Sequence, residues 1–539
     1  MIRPTNHIGI YTMKSLLVST LVLTLSSYSA LAQSQSEVKN VILMIGDGMG
    51  PGQMGLLEEY ARKAPNSIYN GRDTAIKTLI DNGVLGMSLH SPANALVVDS
   101  ACSASHLASG VDAPSEAIGV DVDGNHVESV LEIAKKLGKA TGLVSDTRLT
   151  HATPAAFASH QPHRSLENEI AEDMLAEGVD VMLSGGLRYW IPQSANDKGD
   201  LYKQLLTQTG GDIKIKSKRK DEKNLLTEAI NAGYSVVHTR TGLAETKGEQ
   251  ILGLFSYSGM QNGITYSNTK NSPDRTMPSL KEMTVKALDV LAKDPDGFFL
   301  MIEGGQIDWA GHNNDAGTML HEMLKFDETI QYVYEWVKDR KDTLVVVTAD
   351  HETGGFGFSY SRANLPKAEK RSGTAFKDRD YKPNFNFGEL AILDKLYAQK
   401  ESFANMLAEF DATDKTPQSL QVIVNANSDF DITLAQANDI LATEVNTYHD
   451  PDNKYLKAKI FPKINDFKAF YVYGAGIRSD LIGRAMSEQQ NVVWSTGTHT
   501  DTPVAVIAYG PDAVTAPFSI LSHHTEIGQL LIKTVKGGH

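Results

Sequence analysis

The sequence predicts an α/β fold, a three-layer sandwich with a central, mostly parallel sheet that is flanked by helices and carries insertions. Strand-length runs of apolar residues alternate along the chain with segments whose apolar residues recur at helical spacing. The strand-length runs are apolar at nearly every position, which is typical of strands buried on both faces by helices. Ligands in such folds bind beyond the carboxyl ends of the strands.

The predicted elements follow one another in the order that this fold requires. In chain order they are strand 38–45, helix 127–137, strands 140–145 and 179–183, helix 279–293, strand 297–302, helix 318–337, and strands 342–348 and 504–509. Glycines directly after several strands mark where those strands end. Residues 191–275 and 360–490 are polar and lack the alternation, so we interpret both as insertions on one domain of residues 33–539.

Composition and charge exclude several classes of protein. The chain has 539 residues, of which 41% are hydrophobic and 22% charged, as in an ordinary globular protein. Its net charge of -14 argues against a nucleic-acid-binding protein, and we interpret the lysine-rich run 214–220 as a solvated loop. Cys102 is the single cysteine, so an intrachain disulfide is impossible, and we interpret it as a small packed residue.

The first 32 residues have the pattern of a signal peptide. Lys14 precedes an apolar run at 16–25, and small residues then lead to Ala30-Leu31-Ala32. The apolar run is too short to span a bilayer comfortably, so we expect cleavage after Ala32 rather than a membrane anchor. The mature protein is expected to be periplasmic or secreted.

Polar residues recur directly after three of the predicted strands. Asp47 and Glu303 are each followed by glycine, and Asp350-His351 closes a strand shortly before Gly354-Gly355. One such acid is ordinarily part of a turn, whereas three at the same edge of a sheet favour a common site. Glycines allow the backbone to turn sharply and to approach a bound ion.

Further residues have the spacing and chemistry of metal ligands. Asp308 and His312 are four residues apart, so one helical turn presents both on the same face. His499, on a turn rich in glycine and threonine, adds another imidazole. Mixed carboxylate and imidazole ligands suit zinc, whereas oxygen ligands alone suit magnesium. We interpret His523-His524 as the N-terminal segment of a helix rather than as a metal site.

Ser100 lies in a run of small residues that leads into a predicted helix. The N–H groups at a helix N-terminus stabilise a nearby anion, and a neighbouring metal would make the serine a nucleophile. A small-residue helix packed against a sheet would have the same pattern, and spacing alone does not separate the two. Arg164 offers a guanidinium that can bind two phosphate oxygens at once.

With these residues assembled, the chain resembles a bacterial alkaline phosphatase. The central match is Asp99-Ser100-Ala101, which resembles the nucleophile signature of that family. The other matching motifs occur in family order and span nearly the whole mature chain: Gly46-Asp47-Gly48-Met49-Gly50, Ala152-Thr153-Pro154, Glu303-Gly304-Gly305-Gln306-Ile307-Asp308, His312, Thr348-Ala349-Asp350-His351-Glu352-Thr353-Gly354-Gly355 and Thr498-His499-Thr500.

The resemblance implies a metal-dependent hydrolase that converts phosphate monoesters to an alcohol and inorganic phosphate through a phosphoserine at Ser100. It implies two Zn²⁺ and one Mg²⁺ per subunit, with Arg164 binding the phosphate. The implied ligand sets are Asp308, His312 and His499 for one zinc; Asp47, Asp350, His351 and Ser100 for the other; and Asp47, Thr153 and Glu303 for magnesium. It also suggests a homodimer, for which we take residues 360–435 as a candidate interface; a monomer is the alternative.

Two positions depart from what some family members carry. His151 stands where some members have an aspartate, and Trp309 where some have a lysine. We expect His151 to weaken the third metal site and to contact the metal or the phosphate through water. The loss of a lysine at Trp309 removes one phosphate contact, which predicts weaker binding of the product.

Three alternative functions remain open from the sequence. A phosphodiesterase or phosphonate hydrolase could share the two-zinc core, although Thr153, Arg164 and Glu303 favour monoesters. An enzyme like phosphoglycerate mutase would need manganese and would not normally be exported. A catalytically inactive phosphate- or metal-binding protein would not need Ser100 together with a full set of ligands.

Overall fold

The computed structural model describes residues 38–537, and the predicted signal peptide lies outside these residues. The strands, labelled in chain order, are β1 Asn40–Gly46, β2 Val84–Leu89, β3 Ala140–Arg148, β4 Val181–Gly185, β5 Ser235–Val237, β6 Ile251–Leu254, β7 Phe298–Gly304, β8 Thr343–Thr348, β9 Glu352–Thr353, β10 Gly357–Phe358, β11 Thr443–Val445, β12 Ile460–Pro462, β13 Val492–Val493, β14 His499–Thr500, β15 Val504–Tyr509 and β16 Leu521–His523.

A ten-stranded sheet forms the centre of the molecule, in the order β16-β2-β15-β8-β1-β7-β3-β4-β6-β5. The strand pairs are parallel except where β15 contacts β2 and β8, so β15 alone runs in the opposite direction within this sheet. The predicted fold class is therefore confirmed. Every residue of β1, β7 and β8 is buried, as expected for strands with helices on both faces.

The three central strands end almost level with one another. Ile45 of β1 pairs with Glu303 of β7 on one side and with Thr348 of β8 on the other. Residues that directly follow these strands consequently lie at one edge of the sheet. This register brings Asp47, Glu303 and Asp350 together although they are about 50 to 300 residues apart in sequence.

The helices have the bounds Pro51–Lys63, Ala75–Asn82, Ser100–Ser109, Val130–Lys136, Ala152–Ala155, Glu167–Glu177, Asp200–Gln208, Leu225–Asn231, Arg240–Glu245, Gly263–Thr269, Leu280–Leu291, Gln306–His312, Ala316–Val337, Ala391–Tyr397, Phe403–Asp411, Pro417–Asn427, Leu434–Leu441, Ile477–Gln490, Asp512–Thr515 and His524–Val535. Two predicted helices start later than expected because their first polar residues serve as caps. Ser129 and Ser279 each accept a hydrogen bond from the third residue of the following helix in a capping box.

The two predicted insertions differ in their relation to the sheet. Within 191–275, strands β5 and β6 form one edge of the central sheet, so part of this stretch extends the sheet. Within 360–490, five helices contribute buried residues, among them Phe403, Phe410 and Val424, to the same hydrophobic core as the long helix Ala316–Val337. The description of both stretches as insertions stays a prediction. Among the described residues, no helix has the length and apolar composition needed to cross a membrane.

Candidate active site

The turn after β1, which carries Asp47, packs against the helix Gln306–His312 that follows β7. Asp47 is fully buried, and Gly48 has φ = 75°. A Cβ atom at Gly48 would lie 2.7 Å from the Cα of Asp308. Only glycine permits both this left-handed conformation and this close backbone approach. The glycine-rich pattern of 46–50 therefore has a direct steric cause.

The first cluster of metal-ligand atoms comprises Asp308, His312 and His499. The Nε2 of His312 lies 3.2 Å from Oδ1 of Asp308 and 3.1 Å from Nε2 of His499. The Nδ1 of His312 lies 2.7 Å from the backbone carbonyl oxygen of Gly497, and the Nδ1 of His499 lies 2.8 Å from that of Val98. These contacts fix the tautomer and leave both Nε2 lone pairs facing the carboxylate, as in metal-binding histidines.

The second cluster comprises Asp47, Asp350 and His351, all completely buried. The Nε2 of His351 lies 3.2 Å from Oδ2 of Asp350 and 3.5 Å from Oδ1 of Asp47. The Oγ of Ser100 lies 3.2 Å from the same Nε2. The side chain of Ser100 therefore contacts the group that the resemblance assigns to a zinc ion.

The first two clusters adjoin each other, with ring centroids of His351 and His499 3.5 Å apart. Thr353, which the sequence argument did not single out, contacts both clusters. Its Oγ1 donates to Oδ1 of Asp308 at 2.6 Å and lies 3.3 Å from Nδ1 of His351. Such outer contacts orient metal ligands.

A third cluster shares Asp47 with the second and adds His151 and Glu303. The Nδ1 of His151 lies 4.0 Å from Oε1 of Glu303. The ligand atoms of Asp47, His151 and Glu303 lie within 4.8 Å of one another. Thr153, the third predicted magnesium ligand, lies in the short helix Ala152–Ala155 directly after His151, and its hydroxyl is buried without a hydrogen-bond partner.

The polar atoms of these clusters fit divalent cations. Six buried atoms have no hydrogen-bond partner: both carboxylate oxygens of Asp47, Oδ2 of Asp350, Oε1 of Glu303, Oγ1 of Thr153 and Nδ1 of His151. Buried polar atoms are normally paired, so this concentration indicates an ion site. Burial and the Asp350 carboxylate raise the pKa of Asp47 well above its ordinary value. Burial, followed by neighbouring acids, raises the pKa of Glu303 to about 8 and that of Asp350 to about 6.

Ser100 is the first residue of the helix Ser100–Ser109, which we call the serine helix. Asp99 caps it by accepting hydrogen bonds from the backbone N–H groups of Ala101 and Cys102. Oδ2 of Asp99, which accepts from Ala101, also accepts a hydrogen bond from Nη1 of Arg164 at 2.8 Å. Asp99 was missed as a functional residue in the sequence, although an aspartate directly before a helix is a recognisable cap. Burial opposes the charge on Arg164, but Asp99 raises the pKa of the guanidinium.

An open cleft of about 580 Å³ leads to Ser100. Trp309 and His151 line it with their rings in an edge-on arrangement, 6.1 Å between centroids. The predicted site residues Ser100, Arg164, Asp308, His312 and His499 also line the cleft. Another part of its wall consists of Asp452, Asn453, Lys454, Tyr455 and Tyr473. Sequence reasoning missed this wall because it belongs to residues 360–490, which matched no motif.

Comparison with known proteins agrees with this geometry. The family model described as alkaline phosphatase matches residues 38–536. The chain belongs to the alkaline phosphatase family. Its match to alkaline phosphatase 3 of Bacillus subtilis is 32% identical over 526 residues and covers 93% of this chain and 90% of the relative. The human tissue-nonspecific alkaline phosphatase is 31% identical over 348 residues, covering 58% of this chain and 63% of the relative.

Solved alkaline phosphatase structures share the fold. The Thermus thermophilus enzyme superposes with a TM-score of 0.72 at 25% identity, covering 94% of each chain. The cold-active enzyme of a Shewanella species gives 0.64 at 25% identity, covering 92% of this chain and 99% of the other. As a member of this alkaline phosphatase family, the protein is a metal-dependent hydrolase of phosphate monoesters, acting through the phosphoserine intermediate general to the family.

We predict that Thr353→Val weakens metal binding by about 10- to 100-fold, the usual cost of losing an outer contact to a ligand. The substitution keeps the shape of the side chain but removes the hydroxyl that donates to Asp308. The free Zn²⁺ concentration at half-maximal activity should rise accordingly in a titration of metal-free alkaline phosphatase.

Thr329→Val is the matched control, because Thr329 is also fully buried but donates to a backbone carbonyl within a helix, that of Lys325. Equal zinc requirements for the two variants would show that Thr353 does not orient Asp308.

Proposed function

We propose that Ser100 is the nucleophile and that Arg164 binds the phosphoryl group of the substrate. The observation that carries this assignment is the position of Ser100 Oγ, at the floor of the cleft and 3.2 Å from His351. Arg164 lines the same cleft and is held there by the partly buried Asp99 carboxylate. A nucleophile and an anion-binding group thus converge on one small space.

The donor atoms support two Zn²⁺ and one Mg²⁺ per subunit. Asp308, His312 and His499 would hold one zinc, and Asp47, Asp350, His351 and Ser100 the other. Asp47, Thr153 and Glu303 would hold magnesium, since a carboxylate and hydroxyl set suits a hard cation. When bound, these ions polarise the phosphoryl oxygens and favour the deprotonated form of Ser100.

The reaction is an in-line displacement in two steps. The Ser100 oxygen loses its proton to solvent and forms a bond to phosphorus while the ester P–O bond breaks, and the alcohol leaves with a proton from solvent. Water then attacks the phosphoserine, which releases inorganic phosphate and returns the proton to Ser100. Arg164 binds two phosphate oxygens throughout.

Asp99 contributes to the reaction by holding other groups in position. Its carboxylate accepts from Arg164 and from the first N–H groups of the serine helix, so one side chain fixes both the nucleophile and the guanidinium. His151 lies 3.3 Å from Nη2 of Arg164 and next to Glu303, between the phosphate and magnesium sites. We infer that its uncharged ring holds the third metal less tightly than an aspartate would.

Thr153, Glu303 and Arg164 together favour monoesters over diesters as substrates. Thr153 and Glu303 would place a third metal beside Arg164, which concentrates positive charge on a phosphoryl group that carries two negative charges. The catalytically inactive alternative is disfavoured because Ser100 keeps a direct contact with His351. The leader-like pattern of residues 1–32 supports export to the periplasm or beyond.

An exposed aromatic cluster supports a homodimer. Tyr360, Phe385 and Phe387 are 59%, 44% and 65% exposed, and their rings contact one another. All three lie in 360–435, the expected interface. Contiguous exposed apolar side chains of this size are characteristic of protein–protein contacts.

We predict that the protein hydrolyses p-nitrophenyl phosphate near pH 9 to 10 in preference to bis-p-nitrophenyl phosphate and p-nitrophenyl sulfate. EDTA should abolish the activity, and zinc with magnesium should restore it. Ser100→Ala should lower kcat by at least about a thousandfold, since it removes the atom that forms the intermediate.

The Ser105→Ala variant is the matched control, because Ser105 lies on the same helix and donates to the Ala101 carbonyl away from the clusters. A preference for the diester or the sulfate would keep the fold and refute the monoester assignment. Metal-replete, folded protein without activity on any of the three compounds would favour a binding protein.

We predict that Trp309→Lys lowers the inhibition constant for inorganic phosphate by about tenfold, because one added charge-assisted hydrogen bond contributes about 1.5 kcal/mol or more. Slower product release should lower kcat in parallel. Trp309→Phe is the uncharged control. An unchanged phosphate inhibition constant in the lysine variant would contradict the proposed contact.

We predict that Phe387→Asp converts the dimer to a monomer at micromolar concentration, because it places a charge within the apolar contact. Light scattering coupled to size exclusion measures the mass directly. Val122→Asp, at a position 56% exposed outside 360–435, should leave the mass unchanged. Dimers in both variants would exclude this surface as the interface.

A further inference from the structure

Two tyrosines form part of the wall of the cleft that leads to Ser100. Tyr455 lies in the loop between β11 and β12, and Tyr473 precedes the helix Ile477–Gln490 by a short turn. We propose, on the basis of the function proposed above, that these two rings bind the alcohol part of the substrate. The preferred substrates are then phosphate monoesters whose alcohol carries an aromatic ring.

The geometry of the reaction directs the alcohol toward these side chains. In an in-line displacement the alcohol leaves phosphorus on the side opposite to the attacking oxygen. Ser100 contacts the second cluster, whereas His312 belongs to the first. A phosphoryl group that spans the two clusters and is attacked by Ser100 therefore releases its alcohol beside the first. Tyr473 packs edge-on against the ring of His312, with 4.9 Å between the ring centroids.

The two tyrosine rings continue from the first cluster toward the solvent. Tyr455 is edge-on to Tyr473, with 5.1 Å between the ring centroids. Tyr473 is partly buried and Tyr455 is 44% exposed, so the outer ring remains accessible to a ligand. Aromatic rings prefer edge-on or offset contacts with one another, and an aromatic ring on the alcohol would extend this series.

The charges of the cleft favour an uncharged ring over a second anionic group. Asp452 and Glu116 line the cleft and would repel further negative charge. Arg148 also lines it but is already paired with Glu167. The ammonium group of Lys454 lies 4.9 Å from the centroid of the Tyr455 ring, where it interacts with the aromatic face. At about 580 Å³ the cleft has room for a phosphoryl group and a ring.

The loop that carries Tyr455 is held in place by its own side chains. The side-chain oxygen of Asn453 accepts hydrogen bonds from the N–H groups of Tyr455 at 2.9 Å and Leu456 at 3.1 Å. The side-chain amide of Asn446 donates to the carbonyls of Leu456 and Ala458. The strands β11 and β12 pair antiparallel at the two ends of the loop. A wall that is ordered in advance loses little conformational freedom when a ligand binds.

Competitive inhibition by phosphonates tests this contact separately from the chemical step. Benzylphosphonate and methylphosphonate have a P–C bond in place of the ester P–O bond, so displacement of an alcohol cannot occur. Both are dianions at the alkaline pH of the assay, and each is titrated against p-nitrophenyl phosphate with the metal-replete enzyme. We expect the inhibition constant of benzylphosphonate to be lower by about tenfold or more, because its ring is buried against aromatic side chains.

The ratio of the methylphosphonate to the benzylphosphonate constant is the quantity compared among variants, because it cancels changes in how the phosphonate group itself is held. Tyr455→Ala should lower this ratio by about threefold to tenfold. Tyr455→Phe keeps the ring and should keep the ratio. Tyr473→Leu leaves an apolar side chain against His312 but removes the ring, and should also lower the ratio. Tyr448→Ala is the matched control, since Tyr448 is a 51% exposed tyrosine of the same loop that lies outside the cleft.

The possible failures are distinguishable. A high ratio that persists in Tyr455→Ala and Tyr473→Leu would overturn the proposal and place the ring against Trp309, elsewhere on the wall. Hydrolysis of p-nitrophenyl phosphate together with equal inhibition constants in the wild-type protein would keep the phosphatase function and refute the aromatic contact. Absence of hydrolysis would refute the proposed function and this preference with it.

Discussion

The arrangement depends above all on the burial of several carboxylates at one edge of the sheet. Asp47, Glu303 and Asp350 are completely buried, and oxygens on all three lack hydrogen-bond partners. Burying unpaired negative charge is strongly unfavourable, so these residues require either protons or cations. Without cations, the raised pKa of Glu303 means that the folded protein binds more protons than the unfolded chain between about pH 4.5 and 8. The contribution of Glu303 to the free energy of unfolding therefore falls as the pH rises through this range. Bound divalent cations compensate the negative charge and so prevent this loss of stability.

The sheet makes this concentration of charge geometrically possible. The strands β1, β7 and β8 are adjacent and end in register, so each supplies a carboxylate from its last two residues or from the turn that follows. The backbone is held by ladders of hydrogen bonds on both sides, which resists the mutual repulsion of the acids. A loop-based site would relax apart, whereas rigid strand ends keep the ligand atoms within reach of the same ions.

Much of the central sheet and of the carboxylate site was predictable from the sequence, because the patterns that indicate them are local. Apolar runs defined the central strands, and strand-end acids followed by glycine identified Asp47, Glu303 and Asp350. The direction of β15 was not predictable, since a buried strand has the same pattern in either direction. Strand β5 was missed because it lies at the edge of the sheet and is only partly buried, which weakens the apolar pattern. Strand β6 is fully buried but has only four residues, too few to stand out within a polar stretch. Asp99, Thr353 and Tyr473 act through partners far away in sequence, and only the folded chain reveals those partners.

The serine helix explains how a short segment can hold a reactive group in place. Its first turn is fixed by Asp99, which also holds Arg164, so the nucleophile and the phosphate-binding group share one support. Ser103 donates to the carbonyl of Asp350 at 2.7 Å, which ties the same turn to the end of β8. Further along, the helix packs against the C-terminal helix near Gly528. Displacement of Ser100 would therefore disturb contacts with three separate parts of the chain, which is the preorganisation that a metal-assisted displacement requires.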